Sequence, residues 1–176
     1  MIKTISAIFL LIIVSFTSPA YAQNKPAPTP DAPACGDLNT RFEVNTAPAQ
    51  HPAQPEAGKA LMYFIQDDSL NAAKPRPTIR LGVDGQWVGA TQHDSYFSLL
   101  VEPGVHHLCA SWQAARLSRP KTAAAHFTAE AGGVYYFEAK DIFVPDKMDM
   151  IFTPIDSDQG ALVLHNLESS TSHPKK

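Results

Sequence analysis

The chain has 176 residues, 44% of them hydrophobic, with 14 Lys and Arg against 17 Asp and Glu for a net charge of −3. That is enough apolar material for one compact domain. The charge is too mild for a nucleic-acid partner, whose phosphates demand a concentrated basic surface. The basic clusters, Arg116, Arg119 and Lys121 and then Lys175-Lys176, read as a solvated loop and a tail.

Residues 1–22 have the grammar of a secretory signal peptide: Lys3, an apolar run from Ile5 to Phe16, then Ala20-Tyr21-Ala22 before a cut at Gln23. The run is shorter than the ~20 residues that cross a bilayer, so no transmembrane segment is expected after cleavage. Removing it takes the net charge from −3 to −4, because Lys3 is its one charged residue. The expected destination is the periplasm or the exterior.

A Pro/Ala-rich leader follows over 23–56, extended because Pro lacks an N–H and restrains its predecessor. Within it, Phe42 and Val44 alternate with Arg41 and Glu43 as a short edge strand. The domain proper is expected over 57–166. KALMYFIQ (59–66) is an unbroken apolar run, which predicts a central strand covered on both faces.

The stretch from Thr78 to Trp112 predicts an antiparallel meander. Asp84-Gly85 between alternating hydrophobics signals a tight hairpin, because a type I′ turn needs positive φ at both central positions. Ile79, Leu81 and Val83 share one face, and Phe97, Leu99 and Val101 repeat the period beyond the next turn. Strands are also expected at 122–131, with Ala123, Ala125, Phe127 and Ala129 on one side, at 134–140, at 141–144 and at 148–153, the last two flanking Pro145-Asp146. Trp112, Phe127 and Tyr136 read as core. The fold class is all-β: an antiparallel β-sandwich of about seven or eight short strands.

Asp156-Ser157-Asp158-Gln159 resembles a capping box and permits one short C-terminal helix, although Ala161 to His165 could equally form a strand. The tail, 167–176, is expected to be disordered. Cys35 and Cys109, an even pair in an oxidising compartment, predict a disulfide that staples the leader to the sheet.

The blocks GKALMYFIQ, RPTIRLGVDGQWVGA, SYFSLLVEPGVHHLCASWQ, FTAEAGGVYYFEAK and STSHPKK together resemble bacterial exported proteins grouped as domain of unknown function 2846. The resemblance runs from Cys35 to the C-terminus. It implies export and supplies no reaction, cofactor or catalytic residue. Family members are often lipoproteins, whereas here Gln23 rather than Cys follows the expected cut. VDGQWVGA through YFSLLVEPGVHHL also resembles short surface-associated repeats with a VDG hairpin and a PG-x-H turn, which favours a binding or scaffolding module.

His106 and His107 are adjacent on a strand and leave opposite faces, so they cannot share one ion. His93, Asp94, His107 and His126 could make a metal site only by converging through the topology, and no metal or other cofactor is expected. His93-Asp94-Ser95 has the letters of a hydrolase triad, but consecutive residues cannot form the relay and read as a turn. The functional opening is aromatic: Trp87 and Tyr96, if exposed on one sheet, would form a platform for a protein, glycan or cell-wall partner. The expectation is therefore a non-catalytic, envelope-associated binding or scaffolding module. A periplasmic enzyme or metal-binding protein using histidines near the meander is the alternative.

Overall fold

A computed structural model describes residues 35–49, 53–68, 77–113, 121–144 and 147–175, with no side-chain description for 141–148. The expected signal peptide, the expected leader up to residue 34, Arg116 and Arg119, and Pro145-Asp146 lie outside the described residues. The chain forms β1 (Phe42–Ala47), β2 (Ala60–Gln66), β3 (Thr78–Val83), β4 (Gln86–Gln92), β5 (Ser95–Val101), β6 (Gly104–Trp112), β7 (Thr122–Ala129), β8 (Val134–Val144), β9 (Lys147–Ile155), α1 (Ser157–Leu164) and β10 (Glu168–Pro174). The fold is an all-β sandwich of two sheets, ordered β1-β10-β5-β2-β8-β9 and β4-β3-β6-β7.

The four-stranded sheet is antiparallel throughout. The six-stranded sheet is mixed: β2 runs parallel to β8, and β10 parallel to β5. The predicted strands at 134–140 and 141–144 are one continuous strand, β8.

β2 shows why its sequence is apolar without a break. Ala60, Met62 and Phe64 enter the core between the sheets, with Ile79, Leu81, Leu108, Ala110, Trp112, Phe137 and Phe152. Leu61, Tyr63 and Ile65 point the other way, into a second cluster with Tyr96, Leu164 and Leu167. Both faces are covered, as the run of residues requires.

The Asp84-Gly85 hairpin forms as the sequence indicates, with φ of 51° and 82°. The meander does not. β3, β4 and β6 share one sheet, whereas β5 crosses to the other and pairs with β2. The crossing is made at His93, whose φ is 62°. There the Ser95 hydroxyl donates to Gln92 O (2.8 Å) and accepts from Gln92 N–H (3.2 Å). Alternation fixes which residues share a face, but the neighbouring strand is chosen by the turn.

Residues 161–164 are helical. Asp156 caps α1, its Oδ1 accepting from Asp158 N–H at 3.0 Å and Gln159 N–H at 2.9 Å. Gly160 lets the helix lie on the sheet: a Cβ there would sit 2.3 Å from Tyr136 Cγ. Gly160→Ala should therefore lower stability by about 1 to 3 kcal/mol through overpacking, despite alanine's better helix propensity. Urea denaturation checks this, and a stabilised variant would show that helix and ring separate at little cost.

The expected disordered tail is corrected. Residues 168–174 are β10, in antiparallel register with β1 from Phe42↔Pro174 to Ala47↔Ser169. ESSTSHP lacks an apolar alternation, and backbone pairing with side-chain hydroxyl bonds supplies its order instead: Ser170 Oγ donates to Tyr96 O (3.1 Å), and Ser172 Oγ accepts from Ala90 N–H (2.9 Å). The domain accordingly extends beyond 57–166 at both ends.

Candidate functional site

The outer face of the four-stranded sheet carries Arg80, Cys109 and Ser111, and the leader covers it. The Cys35–Cys109 disulfide closes the contact across 74 residues. Arg80 is buried, and its guanidinium donates to Leu38 O (3.0 Å), Thr40 O (2.7 Å) and Ser111 Oγ (3.1 Å). Burial pushes its pKa below the ordinary arginine value, with Arg41 adding to the shift and Asp37 opposing it. The same guanidinium lies 4.5 Å over the Trp87 ring.

Trp87 thus packs beneath the leader rather than serving a platform. It is half-buried, its Nε1 donates to Asp37 O (2.6 Å), and Gly36 rests on the ring so closely that a Cβ would approach Cδ1 to 2.5 Å. Tyr96 stands in the other sheet, buried at 6% exposure. The structure does not bring Trp87 and Tyr96 onto one exposed face, because β5 leaves the meander for the other sheet, where Tyr96 is buried. Arg80 was not singled out in the sequence; its signal is a cation within a strand beside apolar neighbours on both sides.

The histidines divide. His106 is buried, with Nδ1 2.7 Å from Asp84 Oδ2 and Nε2 2.7 Å from Glu102 O, and its ring packs against Phe127 at 5.7 Å. Each ring nitrogen thus has an oxygen neighbour, as for the rim histidine that its alternation with Leu108 and Ala110 suggests. His107 faces outward opposite His126. His93 lies at the far end of β4 from them, about 20 Å away at 3.3 Å per residue. Asp94 Oδ1 accepts from Asp68 N–H (2.8 Å), as part of the turn. Among the described residues no group of three or more His, Cys, Asp or Glu side chains is placed to hold a metal.

A concave site does exist, on the outer face of the six-stranded sheet. β10 stays in register with β5 only for Glu168↔Ser95 and Ser169↔Tyr96, then turns toward β4. Between the parting strands opens a pocket of about 190 Å³, lined by Tyr63, Tyr96, Ser98, Ser169, Ser170 and Thr171 together with Ala53 and Phe97. Tyr63 is held edge-on to Tyr96 (5.9 Å) and stacked on Tyr136 (5.2 Å, 8°), with its hydroxyl donating to Ala53 O at 3.3 Å. Burial pushes the phenols of Tyr63 and Tyr136 above their ordinary pKa. The lining thus combines neutral hydroxyls with aromatic rings held by packing. No local sequence signal marks it, because three of its four hydroxyl residues lie in β10, which carries no strand signature.

Comparison with family models, with curated proteins and with solved structures finds no match. Among the described residues, no helix is long and apolar enough to cross a membrane.

Proposed function

We propose that the protein is an exported, envelope-associated binding module without catalytic activity, whose ligand is a neutral glycan ring seated between β5 and β10. The observation that carries this reading is the composition of the pocket, whose lining includes four serine or threonine residues and two tyrosines. Hydroxyls both donate and accept, which suits the alternating demands of a sugar's own hydroxyls. Tyrosine adds an apolar ring face with a polar tip. At about 190 Å³ the space is smaller than the roughly 300 Å³ at which drug-sized pockets begin, which fits a single ring. The signal-like N-terminus, the disulfide and the resemblance to exported proteins agree with an extracytoplasmic role.

Ser98 supplies the test. It is exposed on β5 opposite the buried Tyr63, so Ser98→Tyr fills the pocket without entering the core. With N-acetylglucosamine oligomers and soluble peptidoglycan fragments as probes, NMR shift changes are expected at Ser98 and at Ser169 to Thr171. Affinity should fall at least about ten-fold in Ser98→Tyr. Saccharide binding that survives this substitution unchanged, or no binding to either probe, would sink the reading.

A further inference from the structure

The four-stranded sheet carries a second arrangement, independent of the pocket. β6 and β7 pair so that His107 stands directly opposite His126, with ring centroids 6.4 Å apart and planes at 39°. Side chains opposed across an antiparallel pair share one face of the sheet. The backbone of His107 is fixed on both sides, its N–H donating to Asp84 Oδ1 (2.9 Å) and its carbonyl accepting from Asp84 N–H (2.8 Å). His107 Nε2 is buried and has no hydrogen-bond partner among the described residues. A buried polar nitrogen in that state costs about 1 to 3 kcal/mol unless something meets it. His126 is exposed and free to turn its ring.

Neutral imidazole is the commonest protein metal ligand. With metal–nitrogen bonds of about 2 Å, an ion shared by two imidazoles holds their centroids about 4.5 Å apart at a right angle and about 6.5 Å apart when linear, so the observed 6.4 Å lies at the linear end and a turn of the exposed His126 ring closes it to a bent geometry. We propose that His107 and His126 form a bidentate cross-strand site for a late first-row divalent transition metal, with solvent completing the coordination shell. Nitrogen ligands without thiolate favour copper(II) over nickel(II) and zinc(II), and give magnesium no purchase. Two protein ligands leave the ion exchangeable, unlike the closed four-ligand shell of a structural zinc site.

Calorimetric titration of the untagged, disulfide-intact chain tests the assignment. Copper(II) is expected to bind one ion per chain in the micromolar range, with nickel(II) and zinc(II) weaker by about ten-fold or more and magnesium silent. Sub-stoichiometric copper(II) should broaden the NMR signals of His107 and His126 first. His126→Asn and His107→Asn should each weaken copper(II) at least about ten-fold, while His93→Asn and His165→Asn leave it unchanged. His126 is exposed, so its replacement leaves the fold intact, which circular dichroism verifies. Unaltered copper(II) affinity in His126→Asn, or an equal loss in His93→Asn, would overturn the site.

Discussion

Cys35→Ser should lower the stability of the folded state by about 4 kcal/mol in the chain-entropy account, because the bridge it removes closes a loop spanning 74 residues. Cys35 is the better position to change. It is half-buried in the leader, whereas Cys109 is fully buried in β6, where a serine hydroxyl would add its own desolvation penalty. Urea denaturation of wild type and variant gives the difference directly, and a loss under about 1 kcal/mol would mean that the leader holds its place without the bridge.

Arg80→Ala is the second large effect, at about 3 kcal/mol. The substitution deletes three hydrogen bonds from a buried guanidinium and the ring contact with Trp87. Arg80→Lys should recover only part of this, since an ammonium lacks the planar fork that spans two carbonyls and a serine while lying flat on an indole. The two anchors act on the same segment, 35–40. Combining Cys35→Ser with Arg80→Ala should therefore lose less than the sum, because a leader already released no longer offers Leu38 O and Thr40 O to the guanidinium. Strict additivity in a double-mutant cycle would show that the anchors hold independent pieces.

Legibility followed the kind of interaction that stabilises each element. β2, the Asp84-Gly85 turn and the Asp156 cap are written in local chemistry, through an apolar run, a pair of positive-φ residues and a capping carboxylate, and each forms as read. The partition of β5 from its neighbours is not local. Its residues alternate in the same way whichever sheet it joins, and the expectation of an exposed Tyr96 failed with the assumed meander. β10 was invisible for a different reason: its order comes from backbone pairing with β1 and from serine hydroxyls bonded to Tyr96 O and Ala90 N–H. The pocket inherits that invisibility, since three of its eight lining residues lie in β10. The His107–His126 pairing likewise depends on the β6–β7 register, which no single strand reveals.

The pairing of β1 with β10 also orders events in time. Phe42 meets Pro174, so the first strand among the described residues finds its partner only in the last of them. A chain emerging N-terminus first, from a ribosome or a translocation pore, holds β1 unpaired until β10 is out. Cys109 emerges well before that, so oxidation can tether the leader to the four-stranded sheet while the six-stranded sheet still lacks its edge. Such a tether shortens the search that the final strand must complete, because β1 is already held close to where β10 arrives.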